Sequence, residues 1–266
     1  APDATFAQDI AEVIDVEQWL RWFAFETLLG NQETNLSNGY GDDYSLFAGL
    51  IDTRFRLLPH DMDAILGTGE STPDVSESIF EAANRLPEIA RLLNHPEFVI
   101  RYYWHLLDLI ETVFSAAQFA EVTDRLLGSW VPQATLDVMK TFVANRCAAV
   151  LDQIPRDFTV TSALPVVNGY PTTTDPLASI SGAADAAATR SVLVNGQPAI
   201  WEPKTGMWSF GQGGTSSQTL LAARSTWRYL DDGSDQGTAW RASAFDDSAW
   251  AQGAGQYFES LTSSQS

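Results

Sequence analysis

The stretch Leu57-Leu58-Pro59-His60-Asp61-Met62-Asp63-Ala64-Ile65-Leu66-Gly67 ends an apolar run at a proline, then sets two carboxylates one residue apart ahead of a glycine. Alternation along a short extended segment puts Asp61 and Asp63 on the same side of the backbone. Two hard, anionic oxygen ligands at the end of a buried strand suit Mg²⁺ or Mn²⁺ and the phosphates such ions carry. The triplet by itself has a plainer reading, because aspartate is also the ordinary residue of solvated turns and helix caps. The neighbouring sequence decides between the two.

Upstream, residues 15 to 29 predict a buried helix. Asp15 is placed to cap it, with Gln18 where the partner of a capping box belongs. Val16, Trp19, Leu20, Phe23 and Leu28 recur at helical spacing, and Gly30 supplies the stop. A polar loop from Asn31 to Gly39 follows. Tyr44-Ser45-Leu46-Phe47 and Arg54-Phe55-Arg56-Leu57-Leu58 then read as a hairpin around a turn near Asp52-Thr53. Its second strand delivers Asp61 and Asp63, so the loop after the helix and the acidic pair lie at ends of neighbouring elements, where sites are commonly built.

Downstream, the pattern is helical from about Ser78 to Ile154. Phe98, Tyr102, Leu106, Leu109 and Val113 form one stripe, Phe119, Val122 and Leu126 another, and a last helix from Gln133 is stopped by Pro155. His95 and His105 have no second His or Cys at ligand spacing and read as structural or surface residues. His60 adjoins Asp61, but one histidine is not a triad.

Composition changes at Asp157 to Thr, Ser, Ala, Gly and Pro with short β-branched runs. Ser191-Val192-Leu193-Val194, Asn195-Gly196 and Gln197 to Trp201 predict a hairpin through an Asn-Gly turn. The expectation for residues 157–212 is a small all-β sandwich of immunoglobulin-like type, with Trp201 and Trp208 as core. Residues 213–266 have a third texture. Their Asp231-Asp232-Gly233-Ser234-Asp235 loop lacks the spacing of an EF-hand and reads as a turn.

The chain of 266 residues has 34 acidic and 15 basic residues and a net charge of −19. Such a field repels nucleic acid and anionic lipid. No apolar run approaches the roughly 18–20 residues that span a bilayer. Cys147 is the only cysteine, which excludes an intrachain disulfide and a multi-thiolate zinc site. Ala1-Pro2-Asp3 and Ser263-Ser264-Gln265-Ser266 both read as cut ends, so the chain is expected to be a fragment of a longer protein.

Residues 10 to 155 resemble the CotH kinase family, the spore-coat-protein-H-like atypical kinases. The resemblance rests on Ile14-Asp15-Val16-Glu17-Gln18-Trp19-Leu20-Arg21, Leu28-Leu29-Gly30-Asn31-Gln32-Glu33, Tyr44-Ser45-Leu46-Phe47, and Leu58-Pro59-His60-Asp61-Met62-Asp63 with Gly67. Leu93-Asn94-His95-Pro96-Glu97-Phe98, Tyr102-Tyr103, Phe142 and Arg146 continue it. It covers about half of the chain and implies phosphoryl transfer from ATP with Mg²⁺ or Mn²⁺ at the phosphates. Asp61 is then the principal metal ligand and Asp63 its support. Glu33 stands where the family has its catalytic aspartate, and Asn31 positions that segment or approaches the metal.

Three departures accompany the match. Glu33 is one methylene longer than aspartate, and a shift near 1 Å in a catalytic group costs on the order of 10²-fold. His60 replaces a tryptophan, and the nucleotide-gripping lysine with its sheet is expected upstream of Ala1.

The resulting expectation is an α+β, multidomain chain. Residues 1–156 form the mostly helical C-terminal part of a CotH kinase-like domain with a β-hairpin, N-terminally truncated and inactive alone. Residues 157–212 form the sandwich module, and 213–266 the start of a galactose-binding-like jelly roll. The β modules resemble those of large exported bacterial proteins, which implies a secreted or surface-displayed parent. The acceptor protein is not identified by the sequence. The second reading is a degenerate scaffold or adhesion protein whose β modules hold a matrix or glycan. A nucleotide-sugar glycosyltransferase ranks last, because the helical continuation after residue 78 lacks that class's alternation of strand and helix.

Overall fold

Helix α1 (Phe6–Val13) leads into α2 (Val16–Leu29), the helix that the sequence outlines. Asp15 caps α2 by accepting from Gln18 N at 3.4 Å, and Gly30 ends it in the left-handed region at φ 60°, where a Cβ would be penalised. These elements belong to a computed structural model that describes residues 3–31, 36, 44–69, 74–173, 178–211, 226–235, 237–242 and 244–254. The chain divides into two compact units, Ala1–Gln212 and Gly213–Ser266.

The predicted hairpin forms from β1 (Tyr44–Phe47) and β2 (Arg56–Pro59), antiparallel, with Ser45 opposite Leu58 and Leu46 opposite Leu57. The free edge of β2 is sewn to the start of α2. Phe55 N donates to Val13 O (2.9 Å), and Asp15 N and Trp19 Nε1 both donate to Phe55 O (3.0 and 2.9 Å). Gln18 takes part here and does not close a capping box. Its Nε2 donates to Leu57 O at 2.7 Å and its Oε1 accepts from Leu57 N at 2.9 Å. A primary amide offers the donor and acceptor that a peptide unit offers, so Gln18 stands in for a neighbouring strand. Capping logic does not see this demand, because the partner lies 39 residues away in sequence.

Helices α3 (Pro87–Leu93), α4 (Pro96–Glu111), α5 (Ala116–Leu127) and α6 (Gln133–Gln153) complete the helical body. The core packs α2 on α4: Leu20, Phe23 and Leu28 from one side, Phe98, Tyr102 and Leu106 from the other, all buried. Removing each such side chain from water stabilises the fold by about 1.5–3 kcal/mol. Two stripe residues depart from expectation. Val113 lies past the end of α4, and Leu126 on α5 is 60% exposed, because α5 meets its neighbours along a narrower face than its apolar spacing suggests.

Arg146, on α6 and 1% exposed, ties three segments together. Its Nε donates to Thr27 O (2.9 Å), and its Nη1 donates to Val75 O and Glu77 O (2.9 and 2.6 Å). Burial lowers its pKa, with Glu77 acting against that. The carbonyls replace the water that a buried guanidinium would otherwise lose.

The β part of the first unit has a four-stranded antiparallel sheet in the order β3-β6-β10-β9. The hairpins β4–β5 and β7–β8 accompany it. The strands are β3 (Thr159–Thr161), β4 (Val166–Val167), β5 (Tyr170–Pro171), β6 (Ile180–Ala183), β7 (Leu193–Val194), β8 (Gln197–Pro198), β9 (Ile200–Glu202) and β10 (Met207–Phe210). Asn195-Gly196 makes the predicted turn, and Asn168-Gly169 makes an equivalent one that the sequence reading passed over; both Asn residues have positive φ. Trp208 is buried in this sheet. The sheet is docked on the helices: Tyr103 Oη donates to Lys204 O (2.6 Å), Ala186 N donates to Pro155 O (2.8 Å), and Lys204 Nζ lies 4.5 Å over the Phe80 ring. The architecture is α+β.

In the second unit β11 (Thr226–Tyr229) pairs antiparallel with β12 (Ala251–Ala254). Arg228 donates to the carbonyls of Asp247 and Ser248. Asp232 accepts from the Ser234 amide and hydroxyl, the pattern of a turn.

Candidate functional site

Strand β2 ends at Pro59, and the chain leaves the extended conformation at once, with Asp61 at φ 50°. This corrects the premise that simple alternation sets Asp61 and Asp63 on one side. Aspartate is among the few residues that tolerate the left-handed region, so the acidic pair follows a turn and not a continued strand. Leu66 is also left-handed, at φ 58°, where a bulky side chain is strained. It is held there by its amide, which donates to Leu29 O at 2.8 Å.

The plain reading of Asp-x-Asp as a solvated turn makes a specific demand: the carboxylate should accept from the amide two residues on. Asp52, Asp74, Asp185, Asp232, Asp235 and Asp246 all do so, accepting from the amides of Arg54, Ser76, Ala187, Ser234, Gly237 and Ser248. Asp61 and Asp63 do not. Both are exposed, and among the described residues neither has a hydrogen-bond or ion-pair partner. Their oxygens are available to a ligand.

Asn31 is brought to this segment. Its Nδ2 donates to Glu26 Oε2 at 2.7 Å and lies 3.8 Å from Sδ of Met62, the residue between the two aspartates. The end of α2 and the acidic pair are therefore neighbours. Glu33 lies outside the described residues. His60 is exposed. Glu26 was missed by sequence reasoning; it is buried and orients the Asn31 amide. The available signal was a carboxylate set among Trp22, Phe23, Leu28 and Leu29 on the packed side of α2.

An apolar surface adjoins the acids. Ser45 pairs with Leu58 and Phe47 with Arg56, so Phe47 and Leu58 share the hairpin face opposite buried Leu57. They are 49% and 45% exposed, and Leu58 lies three residues before Asp61.

The histidines outside this segment serve the fold. His95 Nδ1 accepts from Glu97 N at the start of α4. Buried His105 meets Glu17 at 2.7 Å. Burial acts to raise the Glu17 carboxyl, but hydrogen bonds from His105 and Arg101 prevail and hold it below its usual range. Burial pushes the Cys147 thiol up to about 11, which removes it as a nucleophile.

No group of three or more His, Cys, Asp or Glu side chains is placed to hold a metal among the described residues. A stand-alone cage of the calcium or structural-zinc kind needs such a group. Mg²⁺ does not: it keeps waters and takes one or two carboxylates plus substrate phosphates. Two exposed, unspent carboxylates beside an oriented amide fit that ion with a nucleotide, and Mn²⁺ shares the oxygen preference.

Residues 1–146 match the protein family described as CotH kinase protein. The chain belongs to that family. The matched span contains α2, the hairpin, the acidic segment and α6 as far as Arg146, and the membership points to kinase-like chemistry. No curated protein matches the chain. No helix among the described residues is long and apolar enough to cross a membrane.

Proposed function

We propose that the CotH region is a metal-dependent phosphotransferase, an atypical protein kinase acting with ATP and Mg²⁺ or Mn²⁺. The observation that carries this reading is the pair Asp61 and Asp63, exposed and unspent beside Asn31. When bound, the ion neutralises charge on the phosphates. Asp61 is its principal ligand and Asp63 supports it, while Asn31, oriented by Glu26, stands two residues before Glu33. Glu33 accepts the proton of the acceptor hydroxyl. Phe47 and Leu58 give the base an apolar surface on which to lie.

The wider setting belongs to the same proposal. The parent is a secreted or cell-surface bacterial multidomain protein, of which residues 157–212 are an immunoglobulin-like sandwich and 213–266 part of a galactose-binding-like unit. The competing reading is a degenerate scaffold whose β modules bind a matrix or glycan. It is supported by the residue type at Glu33, one methylene longer than the aspartate that the family has there.

Mn²⁺-dependent ATP binding, measured by calorimetry on the full-length parent protein and on its Asp61→Ala variant, separates them. Binding that falls at least tenfold in the variant supports the phosphotransferase. Equal binding by both, or none by either, overturns the metal role and leaves the scaffold.

A further inference from the structure

Two glycines flank the candidate site, and both press on one ring. Gly30 ends α2 immediately before Asn31, and Gly67 closes the segment that begins with Asp61 and Asp63. Both are left-handed, at φ 60° and 74°. A Cβ on Gly30 would collide with Cζ of Phe142, and one on Gly67 would stand 2.9 Å from Cβ of Phe142 and 3.1 Å from its Cγ. The tip of the ring therefore meets the end of α2, and its base meets the turn after the acidic pair. Phe142 is buried on α6, the helix that also reaches Thr27 O through Arg146.

We infer that Phe142 is a positioning residue that sets the separation of the Asn31 loop from the Asp61–Asp63 segment. The ring is a rigid spacer of fixed length between two backbones that carry no side chain at the point of contact. It cannot shorten by changing rotamer as an aliphatic chain can. Direct attachment of the two segments among the described residues is slight: the amide of Leu66 to Leu29 O, and the Asn31–Met62 contact. Without the ring the geometry would rest on these, on the bonds that tie β2 to the start of α2, and on the packing of Met62, Ile65 and Leu66 against the core. The inference rests on the reading of the site given above, but its mechanical part stands apart from any ligand.

The contacts predict different outcomes for different truncations. Phe142→Leu keeps the atoms that meet Gly67 and loses those that meet Gly30. Phe142→Ala loses both. Phe142→Tyr adds an oxygen on Cζ, pointed at Gly30, where no space exists. Leu136→Ala, a fully buried position on the same helix, is the control for loss of core packing alone.

Residue-resolved amide exchange is measured on all four, with Mn²⁺-dependent ATP affinity alongside. In Phe142→Leu the Asn31 amide is expected to exchange at least tenfold faster relative to the amides of α4, with Leu66 changed less. In Phe142→Ala both rise. In Leu136→Ala neither rises relative to α4. A uniform rise through α4 and α6 in every variant would overturn the inference, as would an Asn31 amide unchanged in Phe142→Leu. Should Phe142→Ala fail to fold, the leucine and tyrosine variants decide. A full-length parent protein that binds no ATP counts against the proposed function, while the exchange pattern still judges the spacer. Where ATP does bind, a fall of about tenfold in Phe142→Leu, absent in Leu136→Ala, ties the spacing to the site.

Discussion

The two ends of the hairpin spend their acidic residues in opposite ways. At the tip, Asp52 accepts from Arg54 through its side chain and backbone amide and from Arg56, which also reaches Asp15. The bonds from Arg54 hold the Asp52 carboxyl far below its usual range. At the other end, Asp61 and Asp63 have no such partner among the described residues. The charge type is the same and the strand is the same. What differs is the supply of cations: the tip has its own arginines, and the strand end has none against it among the described residues. A carboxylate neutralised within the fold serves the fold, whereas one left uncompensated is free to serve a ligand.

The contrast is broken or sharpened most strongly by metal titration. Asp61→Ala is expected to weaken Mn²⁺-dependent ATP binding at least tenfold, and Asp52→Ala to leave it within twofold. Equal losses would show that both ends act through general charge. Next in size is Gln18→Ala. It strips Leu57 of a donor and an acceptor at once, and each unmet buried group costs about 1–3 kcal/mol. Urea unfolding should show the loss, and the Leu57 amide should exchange faster than those of α4. Smallest is the acid response of the tip. A carboxyl held low in the fold adds stability that is present above its unfolded pKa of about 4 and is lost as pH falls further toward the folded value. Asp52→Asn should flatten that part of the acid limb without moving the neutral plateau, checked by thermal melts between about pH 5 and pH 2.

Helices α2 to α6, the hairpin and the adjacency of Asn31 to the acidic segment were legible in sequence, since each rests on local signals (a cap, a period, a glycine stop, a turn), whereas α1 (Phe6–Val13) was passed over. The side-chain economy of the site was not. Nothing local in Gln18 tells that its amide faces Leu57 and not its own cap. Nothing in the spacing of Asp61 and Asp63 reveals that the first is left-handed, because aspartate fits both extended and left-handed backbone. The pairing of Gly30 with Gly67 on a single ring was likewise hidden, since it joins three segments that are far apart in the chain. Glu26 was legible in principle and was overlooked because its neighbours are so apolar.

The seam between helices and sheet has a practical consequence for anyone trimming this chain. Ala186 is wholly buried and packs with the helical core, and the Tyr103 hydroxyl depends on a carbonyl at Lys204. An expression boundary drawn after Pro155 would strip the cover from that apolar patch and leave a phenol without its acceptor. Shortened proteins ending there should come out sticky and heat-labile, and residue 211 is the safer place to cut.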